Sequence, residues 1–341
     1  MRAPVKAPST WGSTARRLAC WSFFIFICYW SAEWIADHRG AISQLPLANR
    51  LIAAPARIYQ HYLSGGKPFT SSTFKLQEQS QPINMGSKIK NLDGLKEHLT
   101  HDKLDELRNF WFEHIPRWPI VSSLLKNYKR DGSSQTKSST ITRFSPILEA
   151  IRDAGVTSAQ ELLSVAQPRN SLDWLSLIIL LDQIPRNSYR GEKSSICFTY
   201  FDPIAQQVSL EAIKQGIPDK APEIRWVFSH RNWFYMPLMH SEDISAHVKA
   251  VAAFDKMNQD ILSLMEGTGG ADQYERKARE VVQADPEAAR SVGETNKVFE
   301  EKHKVIIERF GRYPHRNKAL GRGATPEEVE FLESGGDTFG S

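Results

Sequence analysis

Between Leu172 and Leu181 the chain is almost unbroken hydrocarbon, and this run passes directly into Asp182, Gln183, Arg186, Asn187 and Arg190. A helix that is apolar on every side must be buried on every side, so the stretch reads as the central helix of the globular part. Pro185 lacks an N–H and disfavours helical geometry at Ile184. That predicts a helix ending at about Gln183, with its polar residues delivered at a helix end beside the core. Arg309-Phe-Gly-Arg-Tyr-Pro-His-Arg-Asn317 repeats the arrangement: an apolar helix, then Pro314, then Arg316 and Asn317.

Helical spacing of apolar residues recurs through residues 91–341, and no strand-like alternation survives beyond about four residues. Thr100 or Asp102 is suited to cap a helix running through Leu104, Leu107, Trp111 and Phe112. Residues 129–140 (KRDGSSQTKSST) have the composition of a loop, and short helices are expected over Phe144–Ala154 and Ser158–Ala166. A helix over Pro203–Gly216 follows, then the aromatic-rich stretch Ala221–Tyr235. Ser241 reads as an N-cap with Glu242 and Asp243 in the first turn, where the helix dipole favours negative charge. After a break at Gly267–Gly270, Pro286 opens a long helix with Val292, Phe299, His303, Ile306 and Phe310 as its stripe. Thr325-Pro-Glu-Glu328 carries the capping-box signature. The fold class is therefore all-α, a compact multi-helix domain.

The N-terminal part is of another kind. Leu18–Ala36 is apolar and aromatic except for Ser22, Ser31 and Glu33, and it follows Arg16-Arg17. About 20 apolar residues span a bilayer, and the basic flank would stay on the positive side. Residues 1–37 thus read as a basic N-terminus with a membrane anchor at 18–36, the alternatives being a removed targeting segment or an interfacial helix. Its acid-poor, Arg- and Ser-containing composition matches a mitochondrial import segment; without an anchor the protein would be cytosolic. Residues 38–90 read as a flexible basic linker. The net charge of +4 over 341 residues is too weak to imply nucleic acid, and it is concentrated before Gln77. Cys20, Cys28 and Cys197 form neither a disulfide framework nor a zinc spacing.

Several stretches then stand in a specific order: Phe110-Trp-Phe112, Leu180-Leu-Asp-Gln-Ile-Pro-Arg-Asn187 with Tyr189-Arg190, Pro237-Leu-Met-His-Ser-Glu-Asp243, Arg309 to Asn317, and Leu320-Gly-Arg322. Together they resemble the family known as domain of unknown function 924, in a fungal-type version, across roughly residues 91–340. The resemblance implies an all-α fold with tetratricopeptide-like helix packing and no established activity. Members usually carry an aspartate-rich Phe-Asp segment after the first helix. Here Arg117-Trp-Pro119 and the 129–140 stretch stand instead, so part of that hairpin is expected to be missing or remodelled.

The motifs collect Asp182, Arg186, Asn187, Arg190, Arg312, His315, Arg316, Asn317 and Arg322 as candidate ligand-binding residues. Arginine forks recognise phosphate or carboxylate bidentately, so an anionic small molecule is the expected partner. Arginine–aspartate bonds that merely pin helix ends are the competing account. General acid–base work would fall to His240 or His303 with a carboxylate orienter, and Glu242 stands beside them as a catalytic candidate. His240, His315 and Glu242 are metal-ligand types, but no histidine pair has the i, i+4 spacing of a helix-borne site, and no metal or cofactor is implied. Charges beside hydrocarbon need partners, which predicts Asp182 or Glu242 pairing with Arg312 or Arg316. A tetratricopeptide-like module gripping a partner peptide is the alternative function.

Overall fold

The computed structural model describes residues 91–113 and 134–339. The anchor expected at 18–36, the linker and most of the segment after Phe112 lie outside the described residues. Among those described, no helix is long and apolar enough to cross a membrane, and every regular element is helical.

The main helices are α1 (His101–Phe112), α2 (Ser134–Asp153), α3 (Ala159–Ala166), α4 (Ser171–Ser188), α5 (Asp202–Lys214), α6 (Ile244–Met265), α7 (Gln273–Ala284), α8 (Pro286–Phe310) and α9 (Pro326–Glu333). As its composition demands, α4 is buried nearly throughout and packs against α1, α2 and α5. The α6–α8 pairing is the most extensive in the domain. It runs antiparallel, because His247 meets Glu300 while Asp255 meets Lys297. Between α5 and α6 the chain makes short helical turns that end at Met236–Met239.

Three boundaries depart from the sequence expectation. The central helix does not stop at Gln183; it continues through Pro185 to Ser188. A proline inside a helix costs about 3 kcal/mol, but Ile184, Pro185 and Asn187 are all buried, so packing outweighs the local penalty. The Asn187 amide also donates to the Gln183 carbonyl (3.2 Å), and Tyr189 N–H donates to that of Pro185 (2.8 Å). Second, α2 begins at Ser134, inside the stretch expected to be a loop. Third, Asp243 rather than Ser241 caps α6, accepting from Ser245 N–H at 2.8 Å. Ser241 Oγ instead accepts from Asp243 N–H, which leaves Glu242 outside the helix and free to reach elsewhere. Thr100 and Thr325 cap α1 and α9 as expected, the latter with its full capping box.

Candidate functional site

Three segments converge: the C-terminal turn of α4 with the start of α5, the turn Met239–Asp243, and the end of α8 with the 3-10 turn Pro314–Arg316. Asp182, fully buried on α4, accepts from His240 Nδ1 at 2.7 Å and from the Gln183 amide. Burial opposes the charge on Asp182, but His240 and Arg186 overcome it and hold the carboxyl down at about 2. Arg186 reaches Asp202 at 2.7 Å and Asp182 at 3.6 Å. Asp202 in turn lies 3.5 Å from Arg316. His240, Asp182, Arg186, Asp202 and Arg316 thus form one continuous chain of contacts.

Arg316 is only 6% exposed. Its guanidinium sits 4.5 Å from the ring centroid of Phe198 and 4.6 Å from that of Tyr313. It donates no hydrogen bond to any described residue, and its buried Nε has no partner. Nearby, His315 Nδ1, Arg322 Nε and Arg186 Nη2 are also buried nitrogens without a hydrogen bond. Burial pushes the His315 imidazole well below its usual range, and Arg316, Arg322 and Arg186 push the same way.

The expected pairing of Asp182 or Glu242 with Arg312 or Arg316 is not what forms. Glu242 takes Arg322 through both oxygens, at 2.6 and 3.0 Å, and accepts Tyr313 N–H at 2.9 Å. Burial opposes its ionisation, but Arg322 and the Tyr313 N–H hold its carboxyl below the usual range. Glu328 takes Arg312 through both oxygens, at 2.6 and 2.8 Å, and Asn317 at 3.1 Å. Arg312 is the main reason its carboxyl is held at about 2. Arg186, Arg312 and Arg322 each have a carboxylate oxygen within 2.7 Å, whereas Arg316 meets Asp202 only at 3.5 Å. Arg312, Asn317 and Asn187 are helix-end fastenings. Arg190 is exposed and joins none of these contacts.

The histidines separate in the same way. His303 is buried, donates from Nδ1 to the Phe299 carbonyl (2.9 Å) and stacks on Phe339. Burial pushes it well below its usual range. His247, absent from the sequence candidates, is fully buried between Glu300 (2.7 Å) and the Ser241 carbonyl (2.8 Å). A carbonyl can only accept, so Nε2 carries a proton and the Nδ1–Glu300 pair shares one more. Burial raises Glu300 accordingly. Among the described residues, no three His, Cys, Asp or Glu side chains are placed to hold a metal ion.

Sequence reasoning missed Asp202, Phe198, Tyr313, His247, Glu300 and Glu328. One available signal was polar residues at core positions, such as Glu300 beside Phe299 on the α8 stripe. Asp202 stands just before Pro203, outside every motif quoted above.

A family model described as "Bacterial protein of unknown function (DUF924)" matches residues 107–336. No curated protein matches the chain. A solved structure, that of the protein of unknown function ATU0120 from Agrobacterium tumefaciens, is similar at 27% identity. The alignment covers 68% of this chain and 97% of that one, with a TM-score of 0.41.

Proposed function

The chain belongs to the DUF924 family, whose function is unknown, and we propose that in this member the cluster around Arg316 binds a small anionic molecule. One observation carries the reading: an arginine 6% exposed that donates no hydrogen bond to any described residue. Each buried donor left unpaired costs about 1–3 kcal/mol, and a guanidinium presents five donors in a planar fork matched to phosphate or carboxylate. His315 Nδ1 and Arg322 Nε add unpaired nitrogens in the same neighbourhood. Ordered water could satisfy the same donors, and a titration separates the two cases. A tetratricopeptide-like module gripping a peptide would instead offer its partner an open apolar groove, whereas these donors are buried.

The test is a titration of the full chain with inorganic phosphate and with succinate, followed by differential scanning fluorimetry and calorimetry. A saturable rise in melting temperature is expected, corresponding to about 2.7 kcal/mol at a hundredfold excess over Kd. Arg316→Lys should weaken binding, because a point charge replaces the fork, and Arg316→Met should abolish it. Unaltered phosphate binding by Arg316→Met, or no saturable effect on the unsubstituted chain, would overturn the reading.

A further inference from the structure

We infer that Asp182 and His240 form a general-base dyad that hydrolyses a small ester bearing a carboxylate or phosphate; the choice of an anionic substrate rests on the reading of Arg316 given above. The geometry fixes the chemistry of the imidazole. Asp182 is buried, with one oxygen held by the Gln183 amide and the other 2.7 Å from His240 Nδ1. An ionised carboxylate accepts hydrogen bonds and cannot donate them, so Nδ1 carries the proton and the lone pair lies on Nε2. That nitrogen bonds no described residue, and the side chain, 16% exposed, is the accessible half of the dyad. Burial and the Arg186 charge both favour neutral His240 over its imidazolium. A neutral, oriented imidazole with its lone pair free, at the end of a charged chain leading to Arg316, is what proton abstraction from a bound substrate or water requires.

Neither His247 nor His303 fits this role. His247 has both ring nitrogens engaged and no exposure. His303 has no carboxylate orienting it and lies under Phe339. Glu242, the carboxylate expected to assist, is consumed by Arg322 and Tyr313 N–H. Side chains that could attack a substrate directly are likewise committed. Cys197 is buried and its thiol is pushed up by that burial. Ser241 Oγ donates to Gln206, and Tyr313 OH donates to the Met239 carbonyl. The nucleophile is therefore water.

In the reaction, His240 Nε2 takes a proton from water as the water oxygen bonds to the ester carbonyl carbon. The carbon–oxygen bond to the alcohol then breaks, and the imidazolium returns its proton to the departing oxygen. Acid and alcohol are the products, Asp182 stays ionised throughout, and nothing is oxidised or reduced.

The experiment uses the full chain with mono-4-nitrophenyl succinate, an anionic ester, and 4-nitrophenyl butyrate, a neutral one. The anionic ester should be turned over with the higher kcat/KM. His240→Gln should lower kcat at least a hundredfold. Asp182→Asn should lower kcat similarly with KM unchanged, because an amide can donate to Nδ1 and place the proton on Nε2. Arg316→Met should raise KM for the anionic ester. Circular dichroism checks that each variant folds, and nitrogen-15 imidazole spectra of the unsubstituted protein supply a readout independent of turnover: Nε2 of His240 should be unprotonated at pH 7. A protonated Nε2, or hydrolysis no faster than in His240→Gln, would overturn the dyad. Loss of rate in His240→Gln with no preference for the anionic ester would leave the dyad standing and sink the Arg316 reading. Saturable phosphate binding with no effect of His240→Gln would do the reverse.

Discussion

Replacing Asp202 by Asn should weaken the fold and tighten anion binding at the same time. Asp202 is the internal anion of the cluster, 2.7 Å from Arg186 and 3.5 Å from Arg316. Asparagine keeps the shape and one acceptor oxygen, so Arg186 exchanges a charge-assisted hydrogen bond for a neutral one, a loss of about 1–2 kcal/mol. The Asp202 N–H bonds the Cys197 carbonyl inside a continuous run of helix, so no open helix end adds to this loss. At its upper end, about 2 kcal/mol, the loss lowers the melting temperature of a domain of this size by about 4–8 °C. The effect on binding has the opposite sign. At 3.5 Å and an effective dielectric constant near 20, the carboxylate holds Arg316 with a Coulomb energy of about 5 kcal/mol. Water and counterions screen much of that ceiling. If only about 1.4 kcal/mol of the competition is relieved, phosphate binds tenfold more tightly. Melting curves at increasing phosphate concentration measure both terms, with the variant starting lower and gaining more per decade of phosphate. Unchanged or weaker phosphate binding in Asp202→Asn would refute the argument.

Two further predictions concern stability. His240, His303 and His315 are all held below their usual range, mainly by burial. The unfolded chain therefore binds more protons than the folded one as pH falls through about 6.5, and stability is lost on that side by about 1.4 kcal/mol per fully suppressed histidine at pH 5.5. Thermal melts from pH 7.5 to 5.5 should show the decline, with a shallower slope in His303→Gln; a flat profile would be the contrary result. In a separate network, fully buried Arg231 binds Asp260 at 2.6 Å and Asp219 at 2.8 Å, and each acid keeps a second cation, Arg225 or Lys256, at 2.7 Å. Asp260→Ala removes one of Arg231's two acids and all of Arg225's pairing with it, and should cost about 3–5 kcal/mol. Arg231→Met strands no acid and should cost less; denaturant midpoints in the reverse order would show that the network is organised differently.

Much of the architecture was legible because burial leaves a compositional trace. A run such as Leu172–Leu181 has no polar face to offer water, so it could only be central. Local rules failed where tertiary packing overrode them. Pro185 should have ended α4, but Ile184, Pro185 and Asn187 are buried, and the Asn187 amide occupies the Gln183 carbonyl. Ser241 reads as the cap of α6, but Asp243, two positions on, takes that role with its carboxylate. The candidate site was legible as a set of residues but not as a set of pairs. Glu242 chose Arg322 across 80 positions, and His247 met Glu300 across 53. Such pairs follow from how helices dock, and no periodicity in one helix encodes them.

Tyr313 ties the site to the order in which the chain can assemble. Its N–H is held by Glu242 and its hydroxyl by the Met239 carbonyl, across 71 and 74 positions, while its ring faces Arg316. Closing loops of that length brings its entropy cost before any contact energy is returned. A chain that had formed α4 to α6 would already hold Asp182 against His240, yet would lack Arg316 until the end of α8 docked. The proposed anion site would thus be a checkpoint on completion: a destabilised variant could keep its helical circular dichroism and still have no place for phosphate.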